Sequence, residues 1–148
     1  MGEPYRTLLG HFRHEVGHHF WDVLVRDGGR LDACGAVFGD DRQDYSKALK
    51  RHYEEEAPDD WQQHFVSKYA TAHPWEDFAE TWAHYLHIVD TLEMVGACGI
   101  TVRPRLDEVG DHSAAVTFDA YFADCIQRIV DSWIPFVFAI NSINRAMG

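Results

Sequence analysis

Positive charge is scarce in this chain. Thirteen Lys and Arg stand against 24 Asp and Glu, for a formal net charge of -11 over 148 residues. No basic patch is dense enough to neutralise a run of phosphates, so nucleic acid is excluded as an expected partner. The acidity reads as a solvated surface that keeps the protein soluble. Cysteine is equally thin: Cys34, Cys98 and Cys125 are odd in number, far apart and form no CxxC pair, which excludes a zinc ribbon and a dithiol redox motif. They are expected to be reduced thiols in a cytoplasmic protein. No basic-then-apolar leader opens the sequence, so no secretory signal is expected. Long hydrophobic runs are missing too. The apolar stretch 133–140 is too short to span a bilayer and follows Asp124, Arg128 and Asp131, so no membrane role is expected. Alternating strand patterns and internal repeats are also absent.

What is present is apolar and aromatic content sufficient for a core, at 46% and 14% of residues, and the pentapeptide His14-Glu15-Val16-Gly17-His18. Helical positions i and i+4 lie one turn apart on one face, so two imidazoles can reach a single metal ion with Glu15 at the edge of that face. The chain has ten histidines, so the bland alternative is two ordinary polar residues on a half-exposed helix. Leu8, Leu9, Phe12, Val16, Phe20, Val23 and Leu24 recur at helical spacing around the motif. They predict a buried amphipathic helix, the context the motif requires. His11 shares the face, but roughly 10 Å of helix rise separates it from His18, too far for both to serve one ion.

The first helix is expected over about 5–26, ending at Asp27-Gly28-Gly29. Gly17 inside it lowers helix propensity and admits either a close neighbour or ordinary packing. Residues 31–41 read as a loop and 45–56 as a charged surface helix. Between positions 40 and 60, eight acids against four bases describe a solvated face. A further helix is expected over 61–69, and a long one from Pro74 to about residue 95, with Pro74, Glu76 and Asp77 suited to its first turn. Gly96 and Gly99 end it, 100–113 is loop-like, and 118–140 supplies a last helix, kinked at Pro135. The fold expected is therefore mainly α, a compact single-domain helical core over 1–148 with little or no sheet, in which the HExxH helix packs on a second ligand-bearing helix.

Catalytic zinc takes three protein ligands and keeps a position for water. The segment from Tyr69 to His87 is the best source of the third. Glu76, Glu80, His84 and His87 form one polar stripe there, while Phe78, Ala79, Trp82 and Leu86 can pack inward. Carboxylates on a core helix are costly unless they meet a cation, which a zinc ion held by two histidines would be. Spacing leaves Glu76 and Glu80 both open as the ligand. Whichever is not a ligand can accept the second ring N–H of a zinc histidine. His84 and His87 read mainly as surface or network residues.

The combination FRHEVGHHFWDVLV, HPWEDFAETWAHYLH and a terminal NSINRAMG resembles a bacterial family of zinc-binding metallopeptidases described as gluzincin-like, over nearly the whole chain. The pattern Glu76-Asp77-Phe78-Ala79-Glu80 also resembles a helix in the catalytic domain of anthrax lethal factor. The resemblance implies a helical zincin-like core and one zinc ion held by His14, His18 and Glu76. It implies that Glu80 supports a zinc histidine and that Tyr69, seven residues before Glu76, faces the site. The activity implied is hydrolysis of peptide bonds in a peptide or protein substrate. Glu15 is expected to take a proton from the attacking water and pass it to the leaving amine, and Tyr69 to donate a hydrogen bond to the developing oxyanion. Zincins usually carry strands ahead of the motif helix. Only thirteen residues precede His14 here, so the expectation extends to a piece of a longer protein. Two other readings stand beside this one: a closed structural zinc site completed by His84 or His87, and a di-iron helix bundle using Glu15 and His18, which would need a second ExxH pair.

Overall fold

A computed structural model describes residues 7–105 and 113–148. It is mainly helical, and the chain divides into two compact units, Met1–Tyr85 and Leu86–Gly148. Among the described residues there are five α-helices: α1 (Leu8–Trp21), α2 (Leu31–Phe38), α3 (Tyr45–Glu54), α4 (Pro74–Ala97) and α5 (Ile126–Met147). Helix α4 belongs to both units. Residues 5 and 6 of the expected first helix lie outside the described residues.

In the first unit, the Thr7 side chain caps α1 by accepting from the Gly10 N–H. The helix passes into a π-helical turn, Asp22–Arg26, and Gly29 at φ 67° reverses the chain. Its inward face differs from the expected one. Leu8 and Phe12 are 87% and 64% exposed, and Leu9, Val23 and Leu24 are exposed as well. The buried line is instead His14, Gly17, Trp21 and Val25, spaced at successive turns. Gly17 explains how this works. A Cβ there would stand 3.0 Å from Ala79 Cα and 3.3 Å from Ala79 O, so α1 and α4 meet backbone to backbone. The seam is flanked by the stacked rings of Phe20 and Trp82, 4.7 Å apart. On α4, Ala79 packs inward as expected, but Phe78 and Trp82 are only half-buried, while the acids Glu76 and Asp77 are buried.

Two local expectations are corrected. Residues 31–38 form α2 and not a loop; none of its residues is buried, and Phe38 meets Phe78 of α4 edge to face at 5.5 Å. The helix expected over 61–69 is two isolated 3-10 turns, Trp61–Gln63 and Tyr69–Ala72. Ser67 supplies the reason: its hydroxyl accepts from the Ala70 N–H at 3.1 Å and donates to Glu80 Oε2 at 2.6 Å, which diverts the backbone from a continuous helix.

The second unit holds the later part of α4, where Val89, Leu92 and Val95 are buried, and α5, which contributes Ile129, Pro135 and Phe136. Helix α5 starts eight residues later than expected and continues past residue 140 to Met147. Asp119 holds the preceding segment in a 3-10 turn, Ala120–Phe122, by accepting from the Tyr121 N–H. A two-residue antiparallel pair, β1 (Thr101–Val102) and β2 (Ala114–Ala115), packs on α5, with Thr101 opposite Ala115. Part of the loop expected over 100–113 lies outside the described residues. No helix among the described residues is long and apolar enough to cross a membrane.

Candidate metal centre

The site lies within the first unit. One turn of α1 presents His14 and His18, and the first turns of α4 present Glu76 and Glu80. His14 Nε2 stands 3.1 Å from His18 Nε2, and Glu76 Oε2 lies 3.0 Å from the first nitrogen and 3.4 Å from the second. Three ligands at ~2.0–2.1 Å from a tetrahedral zinc ion stand about 3.3 Å apart, which is the spacing these three atoms already have. Glu76 is 2% exposed, and its Oε2 has no aligned hydrogen-bond donor among the described residues although two ring nitrogens are near. The three atoms converge on a common point, and the donor set suits a divalent cation there. This is the one group of three or more metal-capable side chains brought within 4.8 Å of one another among the described residues.

Glu80 takes the supporting position. Its Oε1 lies 2.7 Å from His14 Nδ1, so the ring's second nitrogen donates to a carboxylate. Its other oxygen accepts from Ser67. The electrostatics follow from packing two acids against two imidazoles. Burial opposes a charge on His14, but the Glu76 and Glu80 carboxylates outweigh it and push the imidazole up to about 9. Burial likewise opposes the charge on Glu76, and the nearby His14 and His18 rings together with the Tyr45 hydroxyl bond overcome it, holding the carboxyl well below the ordinary range. Glu80 is lowered in the same way, with burial opposed by His14 and Ser67. Asp77 shows the contrast: burial raises it to about 6, and the Thr81 hydroxyl only partly offsets this.

A family model described as "Putative zinc-binding metallo-peptidase" matches residues 1–148. The chain belongs to this zinc-binding metallopeptidase family. It is 45% identical over 151 residues to uncharacterized proteins of Mycobacterium bovis and Mycobacterium tuberculosis, covering 100% of this chain and 41% of theirs. The chain thus spans about two-fifths of the curated relatives it matches. No solved structure matches it.

The remaining expected residues of this family member are placed as follows. Glu15 is exposed on α1, with its carboxylate 3.7 Å from His11 Nε2. Tyr69 opens the 3-10 turn before α4, half-buried, its ring centroid 5.9 Å from that of His14 and 5.7 Å from that of His52. His84 is exposed, turned back so that Nδ1 lies 2.8 Å from the Glu80 carbonyl, and it does not join the cluster. Neither does His87.

Four residues near the cluster escaped the sequence reading. Tyr45, from the helix read as a surface element, donates its hydroxyl to Glu76 Oε1 at 2.6 Å. Burial and the Glu76 charge push that hydroxyl upward, Tyr69 adding to the effect, so it remains a donor. Ser67 holds Glu80. His73 precedes Pro74 in extended backbone, as a residue before proline must, and its Nδ1 accepts from the Trp75 N–H at 3.1 Å. Trp75 lies over His18, with ring centroids 3.8 Å apart. Tyr45 and Ser67 sit in no motif, and His73 and Trp75 lie in the HPWEDFAETWAHYLH segment with no periodicity that assigns them a role.

Proposed function

We propose that this chain is the catalytic core of a gluzincin-type peptidase, with one zinc ion held by Nε2 of His14, Nε2 of His18 and Oε2 of Glu76. The observation that carries the reading is the convergence of those three atoms, with Glu76 Oε2 buried and otherwise without an aligned donor. Three ligands leave a position for water, as hydrolytic zinc sites require. Zinc so bound would lower the pKa of a water toward ~7 and polarise a substrate carbonyl. Glu15, adjacent to a ligand and exposed, is the general base: it takes the proton of the attacking water and delivers it to the leaving amine as the peptide bond breaks. Tyr69, beside His14, donates a hydrogen bond where negative charge develops on the carbonyl oxygen. Glu80 keeps His14 in the tautomer whose Nε2 lone pair faces the ion. The substrate class is a peptide or protein.

Two variants test the assignment. Glu15→Gln should keep one equivalent of zinc and lose nearly all peptidase activity, while Glu76→Ala should lose the metal. Full zinc content in Glu76→Ala would move the third ligand elsewhere, and undiminished peptide cleavage by Glu15→Gln would remove Glu15 from the chemistry.

A further inference from the structure

Each carboxylate that faces the histidines has its other oxygen held by a hydroxyl. Ser67 holds Oε2 of Glu80, leaving Oε1 to His14. Tyr45 holds Oε1 of Glu76 at 2.6 Å, leaving Oε2 to the two Nε2 atoms. The second case bears on coordination number. A free carboxylate can ligate a cation through one oxygen or both, and the two modes favour different ions: one oxygen suits four-coordinate zinc, both suit ions that take more ligands.

Tyr45 is not a loose side chain that happens to touch an acid. It begins α3, whose N-cap Asp44 accepts from the Lys47 N–H. Its ring packs edge-on against His73 and Trp75, with centroids 5.4 Å and 5.7 Å away. His73 accepts the Trp75 N–H at Nδ1, which leaves its proton on Nε2, and that nitrogen lies 3.2 Å from the Gln43 carbonyl. The start of α3 is thereby fastened to His73, the residue that precedes α4, two positions ahead of Trp75 and three ahead of Glu76. A cation approaching Glu76 Oε1 would have to displace a hydroxyl that this packing keeps in place.

We propose that Tyr45 is a positioning residue that confines Glu76 to ligation through Oε2 and so biases the centre toward four-coordinate metal. The proposal rests on the ligand set of the peptidase reading. Cobalt(II) is the probe, because its visible bands are strong in four-coordinate sites and weaken as ligands are added. Wild-type protein with one equivalent of cobalt should give the strong spectrum. Tyr45→Phe should give the weaker one and bind zinc roughly 10- to 100-fold less tightly in chelator competition. Tyr53→Phe, on the exposed side of the same helix, should match wild type. Should Tyr45→Phe fail to fold, X-ray absorption of zinc-loaded wild type serves instead. A shell with a single Glu oxygen supports the proposal, and one with two carboxylate oxygens overturns it. A Tyr45→Phe protein with wild-type spectrum and zinc affinity overturns the proposal and leaves the ligand set intact. Wild-type protein that binds neither ion overturns both.

Discussion

Replacing Gly17 by alanine puts the smallest possible addition into the seam on which the metal centre depends. The new Cβ would stand 3.0 Å from Ala79 Cα and 3.3 Å from both Ala79 O and Trp82 Cβ. Carbon atoms rest ordinarily at about 3.5–4.0 Å, so α1 and α4 must separate by several tenths of an ångström. Two of the opposed atoms are backbone and cannot rotate aside. Overpacking of this kind costs about 1–3 kcal/mol, and the better helix propensity of alanine returns about 1 kcal/mol. The balance is a loss of about 1 kcal/mol, or roughly 2–4 °C in Tm for a chain of this size. The same displacement carries His14 and His18 away from Glu76, so zinc affinity should fall by about tenfold, which corresponds to ~1.4 kcal/mol. Gly35 is the control. It lies in α2 with no atom within 4 Å of a built Cβ, so Gly35→Ala should stabilise by about 0.4–1 kcal/mol and leave zinc binding unchanged. Thermal melts with and without chelator, together with competition titrations, read both effects. A Gly17→Ala protein as stable as wild type with the same zinc affinity would refute the backbone-contact argument.

Two further outcomes follow from the charges around His14. In the metal-free protein its imidazole is raised from 6.5 to about 9. That contribution to stability is fully present below pH 6.5 and is lost as pH rises through about 9, while the lowered Glu76 contributes above its ordinary 4.5 and ceases to as pH falls. Urea denaturation in chelator should therefore show stability falling on the alkaline side between pH 6.5 and 9; a flat profile there would contradict the coupling of His14 to the two glutamates. Ser67→Ala removes a donor to Glu80 Oε2 and an acceptor for the Ala70 N–H. It should cost about 1–2 kcal/mol of stability and weaken zinc binding several-fold through the misplaced Glu80, with a chelator competition curve identical to wild type as the refuting result.

The parts of this protein visible in its sequence are those where periodicity and chemistry agree. Helix α4 was legible because Pro74, Glu76 and Asp77 all suit a first turn and no breaker follows before Gly96. In α1, apolar periodicity does not mark the buried face. In this helix the inward line is His14, Gly17 and Trp21, since what it must meet is a pair of carboxylates and not an oily surface. Leu8 and Phe12 remain outside. Helix α2 is the opposite case: eight residues with a central glycine and no buried side chain carry little signal of any kind.

The hydroxyl groups mark a deeper limit. A histidine pair four residues apart announces a shared face, because helix geometry alone brings i and i+4 together. Tyr45 and Ser67 meet Glu76 and Glu80 across 31 and 13 positions of chain, and no local period relates them. They are required nonetheless by the energetics that make the glutamates conspicuous. Each carboxylate has two oxygens, and a buried oxygen left without a donor is costly. Once one oxygen of each acid is assigned to the histidines or the metal they can hold, the other must find a donor, and beside a cationic centre a neutral hydroxyl supplies that bond without adding a competing charge. The sequence of Glu76 and Glu80 on a core helix therefore implies two donors somewhere in the chain; only the packing of α3 and of the turn before α4 identifies which.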